Sequence, residues 1–376
     1  MPAPELPTLR WGIIGCGLIS SWFVADLVLD RPGVATTRHI IQAIGSSSKD
    51  KGSAFATKNC PTHSPAIYDS YEGVYNDPNI DIVYIGTPHT LHRRNTIDAI
   101  TAGKHVLCEK PIAINARDAQ EMFDAARDKC VFLMEAVWTR FFPIAQAVPK
   151  SLYQDKIIGD VHQVWTHFGL NMPISTAADP QARTASRELG AGALLDIGIY
   201  SLTWASVVLD SHPDIMAAPA ASPSAKEPLI SATMTFASDA DPSLHVDEQT
   251  TIVLNYPSIK AQAVASCTVL AKGTDEFARI SGSKGSITIG GVAASKPGFL
   301  VIRRDQPADG EQALERVDFP VAGRGFHFEA DAVAQDIRQG RVQNLDTCSW
   351  EHTMRIMRRM DQARALCGLE YVQDTS

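Results

Sequence analysis

The fold of this chain is decided by residues 10–20, which read RWGIIGCGLIS. The apolar run before Gly15 predicts a buried strand, and the apolar stretch after Ser20 predicts a helix. A strand, a glycine turn and a helix open a dinucleotide-binding unit, because glycine lets the backbone approach a pyrophosphate and the helix N-terminus offers N–H donors. Ser20 stands where this fingerprint commonly has glycine or alanine. We predict that the backbone of this turn binds the cofactor at Gly15, Gly17, Leu18 and Ile19.

The composition predicts a globular chain of two domains. Its 376 residues are 45% hydrophobic and 20% charged, and the formal charge of −8 gives no electrostatic support for nucleic-acid binding. Seven scattered cysteines without a C-x-x-C pair favour reduced thiols in a cytoplasmic enzyme over a disulfide framework. Because we find no signal-peptide pattern and no apolar run of ~18 residues, we expect neither secretion nor a membrane span.

The spacing of the apolar runs changes along the chain. Over residues 9–135 short strand patterns alternate with helical patterns, which predicts a doubly wound parallel sheet of the Rossmann type. After about residue 155, longer strand patterns such as 161–170 and 229–236 follow one another, and two helical patterns (329–339 and 350–367) close the chain. They predict a large, open-faced, mostly antiparallel sheet. The fold class is α/β, with a cofactor-binding Rossmann domain at 1–136 and an α+β domain for substrate binding and dimerisation at 137–376.

The segment after the second strand pattern indicates the type of cofactor. It carries Ser46, Ser47 and Lys49, where a domain that prefers NAD often places an acid for the ribose hydroxyls. Hydroxyls and an ammonium group can hold a 2′-phosphate, so the segment favours NADP. The alternative is a solvated turn without phosphate contacts.

The segment Thr87-Pro88-His89 follows a further strand pattern. We predict that Thr87, Pro88 and His92 shape the cofactor-ribose edge of the cleft. His89 and His92 are spaced i, i+3, but no carboxylate or cysteine completes a ligand set nearby, so we expect no metal.

Lys110 stands in the run Glu109-Lys110-Pro111, directly after an apolar strand pattern. It therefore lies at the carboxyl end of a strand, beside the expected nicotinamide site. A lysine there can stabilise a developing alkoxide or favour the ionised form of a neighbouring acid. The alternative is an ordinary surface lysine in a turn. We count Glu109 and Lys110 among the cofactor-binding residues and Lys110 as catalytic.

Asp196 and Tyr200 interrupt a strongly apolar helical segment, 193–209. They are spaced i, i+4 and project from one face, where a carboxylate and a phenol are costly to bury unless they are paired or face a cleft. Tyr200 can act as the general base for a substrate hydroxyl if Lys110 lies close to it. The alternative is a core tyrosine whose hydroxyl bonds to the backbone. We predict that both residues are catalytic and bind substrate.

Aromatic residues surround an arginine in the run Trp138-Thr139-Arg140-Phe141. Sugar C–H faces stack on aromatic rings and a guanidinium group bonds to hydroxyls, so Trp138, Arg140 and Phe141 are candidates for substrate binding. An interdomain hydrophobic plug is an equally good interpretation.

These motifs together resemble the glucose–fructose oxidoreductase and inositol dehydrogenase family over nearly the whole chain. The resemblance rests on the glycine turn, Thr87-Pro88, Glu109-Lys110-Pro111, the segment 192–198 and the ending Gly368-Leu369-Glu370-Tyr371. Many members have histidine four residues after the aspartate, whereas this chain has Tyr200. That difference resembles the branch of dimeric dihydrodiol dehydrogenases and NADP-dependent D-xylose 1-dehydrogenases, and it implies Lys110 and Tyr200 as the catalytic pair.

The resemblance implies a cytoplasmic, NADP-dependent oxidoreductase that forms a homodimer and binds neither nucleic acid nor membranes. The expected substrate is an aldopyranose such as D-xylose, oxidised at C1 to a lactone. One alternative is a dehydrogenase of trans-1,2-dihydrobenzene-1,2-diol. An alternative of another class is a noncatalytic NADP-binding regulator, although such a protein has no need of Lys110 and Tyr200.

Overall fold

The computed structural model describes residues 6–179, 182–218, 227–241, 244–307 and 312–375. The chain divides into two compact units. The first unit is Met1–Trp138 with Ala322–Met354, and the second is Thr139–Val321 with Arg355–Ser376. The sequence pattern gave no sign that residues 322–354 return to the first unit. As limits of two functional domains, 1–136 and 137–376 stay a prediction.

The first unit contains the predicted parallel sheet, whose six strands have the order β3-β2-β1-β4-β5-β6. Its strands are β1 Thr8–Ile14, β2 Arg38–Gly45, β3 Ala66–Tyr68, β4 Ile82–Ile85, β5 His105–Glu109 and β6 Leu133–Ala136. Its helices are Leu18–Leu27, Lys49–Asn59, Tyr71–Tyr75, His92–Thr101, Ala116–Lys129 and Phe326–Arg338. A short 3₁₀ turn, His89–Leu91, precedes the fourth helix.

The strand order reverses direction between β1 and β4, because β2 and β3 lie on one side of β1 and β4, β5 and β6 lie on the other. The carboxyl ends of parallel strands share one edge of the sheet, and ligands of such sheets bind at this reversal. Every residue of β4 and β6 is buried, as expected for strands covered on both faces. The turns after β1, β4 and β5 therefore meet at the binding edge.

Asp26, a buried residue of the first helix, holds the returning helix Phe326–Arg338. Its carboxylate accepts hydrogen bonds from the backbone N–H groups of Arg324, Gly325 and Phe326, at 2.6 to 3.0 Å. Burial by itself raises the pKa of this carboxyl, but those bonds and nearby His327 outweigh burial and lower the pKa overall. The carboxylate thus caps a helix that lies about 300 residues away in the chain.

The second unit contains an eight-stranded sheet with the order β14-β13-β12-β11-β7-β10-β9-β8. Among the described strands, β7 and β10 pair in parallel and the other neighbours pair antiparallel. The strands are β7 Val161–Gly169, β8 Leu229–Phe236, β9 Asp247–Tyr256, β10 Ala261–Thr268, β11 Glu276–Gly282, β12 Gly285–Ala293, β13 Lys296–Arg304 and β14 Leu314–Asp318. The α-helices are Pro143–Pro149, Ile199–Leu209 and Pro213–Ala217, and the helix Trp350–Cys367 begins in the first unit and ends in the second.

The helix Ile199–Leu209 is buried along its whole length against one face of this sheet. Polar groups fix it there: the Thr166 hydroxyl of β7 donates to the Ser201 carbonyl, and the Ser201 hydroxyl donates to the Ser266 carbonyl of β10. The stretch Arg187–Leu209 is long and apolar enough to cross a membrane, but 94% of its most apolar window is buried inside the protein. It therefore has the environment of a core helix.

Candidate functional site

The glycine turn after β1 has the geometry of an anion-binding turn. Gly15 has φ of +84°, and a Cβ there would lie 2.5 Å from the Gly86 carbonyl oxygen, so only glycine fits. Gly17 is the N-cap of the helix Leu18–Leu27, and no described side chain caps that helix or places an acid in its first turn. A Cβ on Gly17 would meet no described atom within 4 Å. The N-terminus that includes Leu18 and Ile19 can therefore accept a pyrophosphate.

Ser20 is compatible with this turn because Gly86 faces it. The Ser20 side chain is fully buried, and a Cβ on Gly86, after β4, would lie 2.2 Å from the Ser20 Oγ. The Ser20 side chain thus occupies space that is open because Gly86 has no side chain. The Ser20 hydroxyl has no hydrogen-bond partner among the described residues.

The serines after β2 differ in their surroundings. Ser46 is buried and its hydroxyl donates to the Ser48 carbonyl at 2.5 Å, while Ser48 caps the helix Lys49–Asn59 by accepting from the Lys51 N–H. Ser47 and Lys49 are exposed at the same turn. A hydroxyl and an ammonium group at a helix N-terminus fit a 2′-phosphate, so the residues present suit NADP.

His92 links two turns at the binding edge. It is fully buried, with Nε2 2.9 Å from the Thr87 carbonyl oxygen and Nδ1 2.9 Å from the Pro111 carbonyl oxygen. The Thr87 side chain accepts a hydrogen bond from Asn95, and Pro88 precedes the 3₁₀ turn. His92 therefore positions the backbone after β4 and after Lys110. Among the described residues no group of three or more His, Cys, Asp or Glu is arranged to hold a metal.

Lys110 follows β5 at the same edge of the sheet and is 8% exposed. Its backbone N–H donates to the Glu109 carboxylate, which also accepts from the Tyr84 hydroxyl at 2.6 Å. The Lys110–Pro111 peptide bond is cis. Glu109 is buried and bonded to protein groups, so it holds the backbone that presents the lysine.

Glu329 is a buried acid that the sequence analysis did not single out. It lies on the helix Phe326–Arg338, is fully buried, and neither carboxyl oxygen has a hydrogen-bond partner among the described residues. Burial, with a smaller effect of the Glu109 carboxylate, raises its pKa well above the usual range. The helical spacing could have identified it, because Glu329 stands three residues after Phe326 and four before Val333, on the buried apolar face of the helix.

The Asp196 and Tyr200 segment lies in the second unit and begins with a π-helical turn, Leu194–Gly198, which runs into the helix Ile199–Leu209. Asp247, fully buried on β9, accepts hydrogen bonds from the Leu194 N–H and the Thr250 hydroxyl. Burial raises the pKa of Asp247 despite those bonds. The sequence analysis missed this residue, which fixes the start of the segment.

Asp196 and Tyr200 have different degrees of exposure. Tyr200 is 4% exposed, and its ring lies 5.8 Å from that of Phe168. The Asp196 side chain is 27% exposed, and its Oδ1 lies 3.4 Å from Nη1 of Arg183. Asp196 lines a small pocket whose wall also includes Leu170, Met172, Ile174, Arg183, Thr184, Ala191, Gly192 and Val269.

The short 3₁₀ turn Trp138–Phe141 begins with the last residue of this segment of the first unit, Trp138, and continues into the second unit with Arg140 and Phe141. Trp138 stacks on Phe326, with ring centroids 4.1 Å apart and planes inclined by 5°. Arg140 is buried and donates to the Ser206 hydroxyl at 3.1 Å, and Phe141 is also buried. These contacts account for the packing of the three side chains, and their role in substrate binding stays a prediction.

A glycine turn at the reversal of a doubly wound sheet, with an uncapped helix and a buried lysine at the same edge, defines a dinucleotide-dependent oxidoreductase. Residues 9–137 match the family model described as oxidoreductase family, NAD-binding Rossmann fold, and residues 149–288 match the C-terminal domain model of the same family. The chain belongs to this family of glucose–fructose oxidoreductase, inositol dehydrogenase and MocA proteins. The predicted family and fold class are confirmed.

Relatives that match almost the whole chain include two named dehydrogenases. The D-xylose 1-dehydrogenase (NADP(+)) of Hypocrea jecorina is 32% identical over 97% of this chain and 93% of its own length. The trans-1,2-dihydrobenzene-1,2-diol dehydrogenase of Xenopus laevis is 33% identical over 96% of this chain and 99% of its own length. The crystal structure of aldose–aldose oxidoreductase from Caulobacter crescentus has the same fold, with a TM-score of 0.76, 24% identity and coverage of 96% and 98% of the two chains.

Proposed function

We propose that this oxidoreductase transfers a hydride from C1 of an aldopyranose, D-xylose above all, to NADP and so forms a lactone. The observation that carries the proposal is the buried Lys110 at the carboxyl end of β5, in the same unit as the uncapped glycine turn. The full-length relative named as a D-xylose 1-dehydrogenase supports the substrate.

The coenzyme is NADP. Ser47 and Lys49 are exposed beside the helix N-terminus where the 2′-phosphate would bind, and the xylose-oxidising relative carries NADP in its name. The backbone of Gly15, Gly17, Leu18 and Ile19 would hold the pyrophosphate, while Thr87 and Pro88 would border the ribose. The bound coenzyme supplies a nicotinamide ring that accepts the hydride.

Lys110 and Tyr200 act together on the oxygen of the substrate carbinol. As the C1–H bond breaks, its electron pair leaves as the hydride and Tyr200 accepts the hydroxyl proton, so a C=O bond forms. Lys110 donates a hydrogen bond to that oxygen and stabilises the negative charge that develops on it. Asp196, in the same turn-and-helix segment as Tyr200, is the proposed substrate-binding carboxylate.

A trans-1,2-dihydrobenzene-1,2-diol is the alternative substrate. Leu170, Met172, Ile174 and Val269 form an apolar surface beside Asp196, and such a surface packs well against hydrocarbon C–H groups. The relative from Xenopus laevis has this activity in its name. The same catalytic pair serves both reactions.

The active form is a cytoplasmic homodimer that binds neither nucleic acid nor a membrane. The second unit supports dimerisation, because Trp165 on β7 is 49% exposed on the sheet face opposite Thr166, which packs against the helix. Val253 and Val264 pair on neighbouring strands of the Trp165 face and are half-buried. An exposed aromatic side chain with neighbouring valines on a sheet face is commonly covered by a second protein surface. The described cysteines are all thiols, which fits a reducing compartment.

The test is a substrate screen with NADP and NAD at equal concentrations. D-xylose, D-glucose and trans-1,2-dihydrobenzene-1,2-diol are assayed side by side, NADPH formation is followed by absorbance at about 340 nm, and the kcat/KM values of the three substrates are compared. We expect the largest value with D-xylose and NADP. A larger value with the dihydrodiol would favour the alternative substrate. Tight NADPH binding without turnover of any sugar or diol would instead favour the noncatalytic regulator.

A further inference from the structure

Residues 368–371, one of the motifs in which this chain resembles its family, contact the backbone just before the π-helical turn of the second unit. The Tyr371 hydroxyl donates a hydrogen bond to the Ala191 carbonyl at 2.6 Å, and the Arg187 guanidinium donates to the Glu370 carbonyl at 3.0 Å. Tyr371 is 1% exposed, so water does not compete for its hydrogen bond. These contacts join two stretches of the second unit that lie about 180 residues apart in the chain.

A second buried group, the Asp247 carboxylate, meets the same stretch of backbone. A Cβ at Gly192 would lie 2.4 Å from Asp247 Oδ1 and 2.9 Å from the Tyr371 hydroxyl oxygen, so both groups lie directly against the Gly192 backbone. The other oxygen of Asp247, Oδ2, accepts a hydrogen bond from the Leu194 N–H at 2.7 Å. Tyr371 and Asp247 therefore hold the backbone of residues 191–194 together.

This backbone is the start of the segment that carries the proposed catalytic groups. The Gly192 carbonyl accepts a hydrogen bond from the Asp196 N–H at 3.1 Å. The π-helical turn Leu194–Gly198 then runs without a break into the helix Ile199–Leu209, whose second residue is Tyr200. Because successive helical residues are joined by backbone hydrogen bonds, a displacement of Gly192 moves Asp196 and Tyr200 with it.

Tyr371 is suited to hold this backbone because its hydroxyl stays protonated. Burial, with a smaller effect of the Asp247 carboxylate, raises the pKa of its phenol above the ordinary value. The backbone of Tyr371 is fixed as well, since its N–H donates at 2.8 Å to the Asp374 carboxylate, which also accepts from Arg364 at 2.6 Å. Tyr371 therefore presents one donor, in a fixed place, to the Ala191 carbonyl.

We propose that Tyr371 is a positioning residue for catalysis. With the Asp247 carboxylate, its hydroxyl fixes the start of the segment that carries Tyr200. The proposal rests on the proposed function, in which Asp196 and Tyr200 act on the substrate. Tyr371 itself takes no part in the proton transfer and acts only through the segment that it holds.

Tyr371→Phe removes the hydroxyl and keeps the ring, so it tests the hydrogen bond with little change in packing. The Ala191 carbonyl loses its donor, and the segment that follows gains freedom to move. A misplacement of about 1 Å in an active site can cost about 100-fold in rate, and a partial loss of alignment costs less. We therefore expect the rate of hydride transfer to fall roughly 10-fold. The affinity for NADPH should be unchanged, because the proposed coenzyme contacts lie in the first unit.

The matched control is Tyr153→Phe. The Tyr153 hydroxyl also donates to a backbone carbonyl at 2.6 Å, that of Val208, at the opposite end of the helix Ile199–Leu209. The two substitutions remove the same kind of bond from the same helical segment, so a general loss of stability affects both variants. Only Tyr371→Phe should slow the single-turnover formation of NADPH, measured by stopped flow with the substrate that the wild type oxidises fastest.

The single-turnover rate separates a positioning role from a merely structural one. A structural hydrogen bond changes the fraction of folded enzyme, and hence the amplitude of NADPH formation, but it leaves the rate unchanged. A fall of the rate in Tyr371→Phe alone supports the proposal. An unchanged rate in Tyr371→Phe, or an equal fall of the rate in both variants, would overturn it.

Hydrogen exchange measured by mass spectrometry separates this proposal from failure of the proposed function, because it needs no substrate. Peptides that cover residues 191–198 should exchange faster in Tyr371→Phe than in the wild type and in Tyr153→Phe, while the sheet of the second unit keeps its protection. That local change supports the positioning of the segment even if no sugar or diol is oxidised. Unchanged exchange at 191–198, or a uniform increase over the whole second unit, contradicts it.

Discussion

The contact between Ser20 and Gly86 makes the cofactor turn sensitive to one added methyl group. In Gly86→Ala the new Cβ would lie 2.2 Å from the Ser20 Oγ and 3.0 Å from the Tyr84 ring, whereas carbon contacts normally have about 3.5–4.0 Å. Overpacking of this kind costs about 1–3 kcal/mol, from which the reduced entropy of the unfolded chain subtracts roughly 0.4–1 kcal/mol. We expect Gly86→Ala to lower the free energy of unfolding by about 1–2 kcal/mol.

The double variant isolates the cause. Ser20→Gly alone costs about 0.5 kcal/mol, since glycine inside a helix is about 1 kcal/mol less favourable than alanine and serine about half as much. It also removes the atom that the new methyl group would strike, so Ser20→Gly/Gly86→Ala should be less destabilised than the sum of the two single variants by about 1 kcal/mol. Urea unfolding monitored by tryptophan fluorescence measures the cycle.

Coenzyme titration adds a second readout of the same contact. The Gly86 N–H donates to the Ile14 carbonyl, and the Gly86 carbonyl borders Gly15, so a displaced Gly86 should weaken NADPH binding in Gly86→Ala. The double variant should recover part of that affinity. Strictly additive free energies, within about 0.5 kcal/mol, would refute the argument that the two positions share one space.

Three further substitutions test single groups. Lys110→Met should keep coenzyme affinity while kcat falls roughly 100-fold or more, because a group that stabilises the alkoxide is lost; unchanged turnover in stopped-flow assays would refute the assignment. Asp26→Ala should lower the free energy of unfolding by about 3 kcal/mol at pH 7. The lowered pKa of Asp26 makes its contribution present above the unfolded pKa of about 3.9 and lost as the pH falls below it, so denaturation curves of wild type and variant should converge in acid. The raised pKa of Glu329 has the opposite effect on stability: the free energy of unfolding of the wild type should fall as the pH rises above about 4.3, by at most about 1.4 kcal/mol per pH unit. Glu329→Gln should remove that pH dependence. Parallel curves of stability against pH for the two proteins would contradict this prediction.

Local sequence patterns were sufficient to predict most of the strands and helices. The strand pattern at 229–236 became β8, and the helical pattern at 350–367 became a helix with the same limits, because alternation and helical periodicity extend over enough residues to be read. β3, Ala66–Tyr68, was missed, since three residues are too few to show a period. The proline-rich composition of residues 210–227 predicts a long surface loop, but Pro213–Ala217 is a short helix, and residues 219–226 lie outside the described ranges.

The candidate site was predictable where the chemistry is written in consecutive residues. The glycine turn and Lys110 lie at the predicted edge of the sheet because a parallel sheet brings its carboxyl ends together. Asp247 and Glu329 were not found, since their significance comes from burial against partners far away in the sequence. The i, i+4 argument for Asp196 and Tyr200 assumed a regular α-helix, whereas the segment from Leu194 to Gly198 is a π-helical turn.

The return of residues 322–354 to the first unit has a consequence for synthesis of the chain. Two interactions of the first unit need this late segment. The Trp350 indole donates to the Leu133 carbonyl of the first sheet, and the backbone of Arg324 to Phe326 donates to the Asp26 carboxylate. During synthesis at about 5–20 residues per second, the ribosome makes most of the second unit before it makes residues 322–354. The coenzyme-binding unit is therefore complete only when synthesis reaches residue 354, and its amino-terminal portion exists for about 10–40 seconds without residues 322–354.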